Sequence, residues 1–245
     1  MPVPLPPGAE VLPDADAVAR AAAERLLALC AGRERAAVCL SGGSTPKRLY
    51  GMLAGPDYAA RIPWDRIHWF FGDDRVVPWD DPRSNVRMVR EAFGHGVAIP
   101  PSHLHFIPTD RGPEGAAAEY DRTLRAFYGA ERLDPERPLF DLVLLGLGED
   151  GHTASLFPGK PALDAADALA VAVPVAGLAP FVPRVTLTFP ALASARQVLF
   201  LVTGAGKREA LARLDAGEDL PPGRVTSRGR LDWLLDAEAA GLTPT

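Results

Sequence analysis

The sequence predicts an α/β fold, doubly wound, with a mainly parallel sheet and helices on both faces. Three observations predict it. Short apolar runs recur along the chain, helical segments rich in Ala, Leu and Arg stand between them, and Gly- or Asp-rich turns follow the ends of the runs. With 245 residues, 47% of them hydrophobic, the chain can bury a substantial core, and we expect residues 1–245 to form a single domain.

Residues 16–30, DAVARAAAERLLALC, repeat apolar residues on one face and predict an amphipathic helix ahead of the first central strand, AAVCLS at 36–41. SGGSTPKRLYGMLA then turns from loop into helix: Pro46 fits a first helical turn, and Ser44 or Thr45 is expected to cap its free amides. RIHWFFG at 66–72 predicts the next strand, followed by a polar segment at 73–85 and a short helix from about Val86 to Phe93. A third strand is expected at 103–108, a helix at 115–130 and a strongly apolar strand at 139–148. Residues 168–175 and 184–190 suit strands near a sheet edge, where their prolines cost less. QVLFLVTG at 197–204 is a further strand, GKREALARLDAG a helix, and LDWLLDAEAA a final helix.

Composition excludes several classes of function. The formal charge of -5, without a long Lys/Arg block, gives no support for a nucleic-acid surface. No run approaches the roughly 20 apolar residues needed to cross a bilayer, and the N-terminus lacks the pattern of a secretion signal. Cys30 and Cys39, both in apolar surroundings, are too few for a disulfide framework or a thiolate metal cluster. We expect a cytoplasmic protein without nucleic-acid or membrane partners; the oligomeric state is left open.

Chemistry is expected at four places. In Ser41-Gly42-Gly43-Ser44-Thr45-Pro46 the glycines allow close approach and the helix terminus offers amides and hydroxyls, which suits a phosphate; a capped strand-to-helix turn explains the segment equally well. It matches neither GxGxxG nor GxxxxGK[ST]. Asp73, Asp74 and Arg75 stand where an apolar strand ends, the edge that commonly faces a ligand crevice: the acids suit sugar hydroxyls and Arg75 a developing oxyanion, and a solvated turn is the alternative. Ser84 or Asn85 could border such a pocket.

The third place is LLGLGEDGHTASLFPG at 144–159, an apolar run that stops at glycines and is followed by Asp150, Gly151 and His152. In a favourable turn Asp150 accepts one imidazole proton and leaves the other nitrogen to deprotonate water; a structural histidine is the alternative. Thr153 and Ser155 are expected to cap or steady a helix near ASLF, and Gly146, Gly148 and Gly151 either offer amides or permit the turn. His68, His95, His103, His105 and His152 show no zinc spacing; His103 and His105 read as packing or surface residues, and no GxSxG elbow is present. The fourth place is the pair Arg184 and Lys207, which either bind phosphate or serve solubility, with Arg208 outside any pocket that Lys207 enters.

SGGSTPKRLY, FFGDDRVVPWDDPRSNV, DLVLLGLGEDGHTASLFPG, PRVTLTFPAL and TGAGKREAL together resemble, in this order, the motifs of the 6-phosphogluconolactonases, within the wider glucosamine-6-phosphate deaminase and isomerase-like family. The resemblance implies a doubly wound fold, hydrolysis of a phosphorylated sugar lactone, 6-phospho-D-glucono-1,5-lactone, in the oxidative pentose phosphate pathway, and no metal or organic cofactor. It makes His152 the catalytic base, Asp73 and Arg75 active-site residues, and Gly43, Ser44, Thr45, Arg184 and Lys207 substrate or phosphate contacts. Asp150 becomes the partner of His152 by analogy with the deaminases. Asp74 departs from the Asp-Glu-Arg of the lactonase motif, so the contact of that second acid is in question. Deaminases carry a glutamate five residues after the histidine, and here that residue is Phe157.

Overall fold

The computed structural model describes residues 3–94 and 96–242, so His95 lies outside the described residues. In chain order the elements are β1 (Ala9–Leu12), α1 (Ala15–Cys30), β2 (Ala36–Leu40), α2 (Ser44–Leu53), β3 (Ile67–Phe71), β4 (Asp73–Arg75), α3 (Asn85–Phe93) and β5 (Leu104–His105). They continue with α4 (Gly112–Tyr128), β6 (Phe140–Gly146), β7 (Ala170–Val173), β8 (Arg184–Leu187), α5 (Phe189–Ala193), β9 (Ala195–Val202), α6 (Arg208–Asp215), α7 (Pro221–Arg224) and β10 (Arg230–Asp236).

The main sheet has seven strands in the order β1-β10-β9-β6-β2-β3-β5, and every neighbouring pair is parallel. Such a sheet must be covered on both faces, which is why β2 and the middle of β6 are apolar throughout rather than alternating. From β2 the chain winds outward through β3 to β5; from β6 it winds the other way through β9 to β10. Right-handed crossovers in opposite directions put the helices on both faces and leave a crevice at the carboxyl ends of β2 and β6, where the winding reverses. A second sheet, β4-β8-β7, is antiparallel.

Four expectations change. LDWLLDAEAA is not a helix: it supplies β10, between β1 and β9, with Trp233 stacked on Phe200 at 3.8 Å. A short apolar run fits either structure, and burial on both faces decides for the strand. Residues 168–175 and 184–190 supply β7 and β8, but in the second sheet rather than the main one: β8 pairs with β4 on one side and β7 on the other, an arrangement that the polar composition of Asp73–Arg75 concealed. Ser44 and Thr45 do not cap α2: they are its first two residues, and the capping position is Gly43, at a φ of 111° that only glycine adopts without strain. No helix begins near ASLF; Thr153 and Leu156 close a tight turn by exchanging backbone hydrogen bonds.

His103 and His105 pack, as expected. His105 lies flat on Phe70 at 4.2 Å, His103 stacks on His68 at 3.9 Å, and His68 Nδ1 is 3.0 Å from His105 Nε2. Burial, helped by His103 and Arg35, lowers both His68 and His105 from 6.5 to about 4. These rings bind protons more weakly folded than unfolded, so the stability they support is complete above pH 6.5 and is lost as the pH falls toward about 4. His105→Phe, which keeps an aromatic ring on Phe70, should therefore flatten the fall of the urea midpoint across this window; an unchanged pH slope would remove His105 from the account.

Candidate active site

The carboxyl ends of β2 and β6 open into a cavity of about 410 Å³, bordered by Gly43, Asp73, Arg75, His152, Arg184 and Lys207 among others. A hollow of about 500 Å³ elsewhere is lined mainly by Leu5, Leu211, Leu214, Val225 and Trp233, with Asp215 as its one ionisable group. The first has the groups for chemistry; the second does not. Among the described residues no three His, Cys, Asp or Glu side chains gather as a metal ligand set, and no helix is long and apolar enough to cross a membrane.

The second sheet supplies one wall. In β4 successive side chains point to opposite faces, so Asp73 and Arg75 share the cavity side and Asp74 points away. Asp74 is fully buried, and its carboxylate accepts from the amides of Arg75 (2.8 Å), Asn85 (2.7 Å) and Val86 (3.3 Å) and from the Ser84 hydroxyl (3.0 Å). The second acid of the motif is thus a cap for α3, a task the shorter side chain performs. Burial pushes its carboxyl up to about 6 against the pull of these donors. Asp73 accepts from the Ser155 hydroxyl at 2.5 Å, which gives Ser155 an anchoring task in place of the expected helix cap.

Across the ladder Arg75 lies opposite Arg184, and Asp73 opposite Thr186. Like charges directly opposite each other repel. Arg184 is 3% exposed; its Nη2 donates to the carbonyls of Leu178 (3.0 Å) and Pro180 (3.3 Å), and its Nε has no partner. Arg75 Nε is likewise buried and unpartnered. Two guanidinium groups, each with an unpartnered Nε, on the wall of one cavity suit an anion. Burial depresses the Arg184 guanidinium, with Asp73 opposing and Arg75 reinforcing that shift.

The loop after β6 supplies the other wall. Gly148 and Gly151 turn the chain so tightly that the Gly148 amide donates to the His152 carbonyl (2.8 Å) and the Gly151 amide to the Gly148 carbonyl (3.0 Å). This brings His152 Nδ1 into a hydrogen bond with Asp150 Oδ1, leaving Nε2 of the ring unused. Burial drives the Asp150 carboxyl up, but the hydrogen bond and charge of His152 outweigh it and the net shift is downward. Asp150 stands behind the imidazole rather than on the cavity wall. Phe157, 1% exposed, packs on the other side, 4.7 Å from the His152 ring and 5.2 Å from Arg184 Cζ.

Gly42 and Gly43 border the cavity, but Ser44 is exposed at the start of α2 and Thr45 is turned to Thr203, 2.6 Å away. Lys207 borders the cavity and Arg208 does not; its Nε donates to the Glu238 carbonyl. Glu149 and Leu178 on the rim were not foreseen. Glu149 directly precedes Asp150, which was the available signal, whereas Leu178 arrives on a loop whose course only the second sheet fixes.

Residues 13–233 match the family of glucosamine-6-phosphate isomerases/6-phosphogluconolactonase. The chain belongs to this family. It is 44% identical over 220 residues to a 6-phosphogluconolactonase of Synechocystis sp., covering 88% of each chain. With the 6-phosphogluconolactonase of Nostoc sp. it shares 41% over 239 residues, 94% of this chain and 95% of the relative. The crystal structure of 6-phosphogluconolactonase from Thermotoga maritima superposes with a TM-score of 0.79 at 32% identity, covering 93% of this chain and 97% of that one.

The His152–Asp150 pair tolerates no side chain at Gly148. A Cβ there would lie 2.1 Å from His152 Nδ1 and 2.6 Å from Asp150 Oδ1. Gly148→Ala should separate the pair, and the proton resonance of the hydrogen-bonded His152 Nδ1–H, expected at low field in the wild type, should be lost. A resonance that survives the substitution would show that the loop relaxes without breaking the pair.

Proposed function

We propose that the protein hydrolyses 6-phospho-D-glucono-1,5-lactone to 6-phospho-D-gluconate, by direct water attack assisted by His152, in the oxidative pentose phosphate pathway. One observation carries this reading: His152, held by Asp150 through Nδ1, borders the same cavity as the unpartnered guanidinium edges of Arg75 and Arg184. A base and an anion site in one crevice suit a neutral electrophile attached to a phosphate.

His152 Nε2 removes a proton from water as the water oxygen bonds to lactone C1. The carbonyl electron pair moves onto its oxygen, which receives donors from Arg75 or from nearby backbone amides. Collapse of this intermediate breaks the bond from C1 to the ring oxygen, and the imidazolium returns its proton there. The acid formed ionises to the carboxylate. Asp150 stays ionised, orients the ring and stabilises its positive form. Gly43 at the amino end of α2, Arg184 and Lys207 take the phosphate, with Ser44 and Thr45 contributing through the same helix terminus. Holding the phosphate away from C1 positions the lactone and supplies binding energy that the small reacting group cannot. Asp73 accepts hydrogen bonds from sugar hydroxyls.

Phe157 argues against deamination of glucosamine 6-phosphate, since the carboxylate expected at that position is replaced by a buried ring.

The test is a coupled assay on freshly generated lactone, with spontaneous hydrolysis subtracted. His152→Ala should lower kcat by about 10²–10⁴-fold with little change in KM. Arg184→Ala or Lys207→Ala should mainly raise KM. Enzyme-dependent rates that survive His152→Ala at several pH values would reject the mechanism, and ammonia release from glucosamine 6-phosphate would reject the substrate.

A further inference from the structure

We propose that Asn85 is a positioning residue for this reaction: its side-chain amide ties Arg75 to Asp73 through a neutral acceptor and so keeps the Arg75 charge available to the substrate. The inference rests on the lactonase reading. Asn85 is the first residue of α3, is 3% exposed and borders the cavity. Its Nδ2 donates to the Asp73 carbonyl at 2.9 Å and, more weakly, to Asp73 Oδ1 at 3.4 Å, while its Oδ1 accepts from Arg75 Nη1 at 3.3 Å. One amide therefore touches both functional side chains of β4.

Its own helix does not need it. The first amides of α3 are served by the Ser84 hydroxyl and by Asp74, so the Asn85 side chain caps nothing. The phosphate-side loop clamps it instead: a Cβ on Gly42 would fall 2.2 Å from Asn85 Oδ1. Gly42 thus permits contact between the loop after β2 and the start of α3, and the amide has little room to turn.

The acceptors matter as much as the geometry. Arg75 Nη1 donates to the Arg83 carbonyl at 2.5 Å as well as to Asn85, both neutral oxygens, and Arg75 is in no ion pair among the described residues. A carboxylate in place of Asn85 would hold the guanidinium in the same position but cancel its charge. An amide orients the group and leaves its charge for the oxygen that becomes negative during attack.

The experiment compares kcat and KM of the wild type with Asn85→Leu, which removes all three side-chain hydrogen bonds, and Asn85→Asp, which keeps the shape and the contact to Arg75. Each is measured alone and combined with Arg75→Ala, alongside thermal melts. Each single variant should lose about 10–100-fold in kcat, with KM changed by less than about 3-fold. In the Arg75→Ala background the further loss should shrink to about 2-fold or less, because the pair acts as a unit. If Asn85→Leu fails to fold, the isosteric Asn85→Asp carries the comparison. A kcat within about 2-fold of wild type, a loss confined to KM, or the same loss with and without Arg75 would overturn the proposal. The wild-type control separates the two claims: an inactive wild type overturns the lactonase reading together with this one, whereas an active wild type with an additive cycle overturns the role of Asn85 alone.

Discussion

Arg75 and Arg184 stand directly opposite each other across the β4–β8 ladder, and the candidate site depends on the fold keeping them there. Left alone, the two cations favour separation. The pairing persists because neither guanidinium is free to move: Arg75 is tied to the Arg83 carbonyl and Asn85, and Arg184 to the carbonyls of Leu178 and Pro180. All four acceptors are neutral, so the repulsion is contained without being cancelled. A local pair of cations of this kind suits an anion even in a chain whose formal charge is -5.

That wall becomes useful only because it faces a turn of a different kind. The main sheet reverses its winding between β2 and β6, so the loops that leave these two strands meet over the same crevice. One loop delivers Gly42 and Gly43, the other His152. Both are tight for the same reason: a side chain must fit where a Cβ would otherwise be. Asn85 Oδ1 occupies that space at Gly42, and the His152–Asp150 pair occupies it at Gly148. These glycines serve less for unusual backbone angles than for close approach, since neither has a positive φ.

What was legible in the sequence follows from which forces act locally. The buried parallel strands and the amphipathic α1 and α4 declare themselves through periodicity, and the acid and imidazole at the tip of β6 through adjacency. The second sheet was harder, because Asp73–Arg75 is polar and its strand character comes from pairing with residues about 110 positions away. For the same reason the contact of Asp74 stayed in question, although it caps a helix, and Ser155 was expected as a cap, although it holds Asp73. In both cases the side chain's partner lies across the fold or on the opposite face of a strand. β10 failed differently: LDWLL fits a helix or a strand, and only the vacant position between β1 and β9 decides.

Phe157 links the two walls of the cavity. The ring lies against both His152 and Arg184 and is backed by Gly177, where a Cβ would come within 2.8 Å of it. An aromatic face offers a cation a weak attraction without neutralising it, and it gives the imidazole no second proton acceptor. His152 therefore has one carboxylate partner, Asp150, and one nitrogen left for substrate or water. A glutamate in place of Phe157 would stand where it could ion-pair with Arg184. It would also offer His152 a second acid with which to relay protons. The apolar ring thus leaves the Arg184 charge in place and the imidazole with a single carboxylate partner, which suits the proposed hydrolysis, where one proton is taken from water and returned to the ring oxygen.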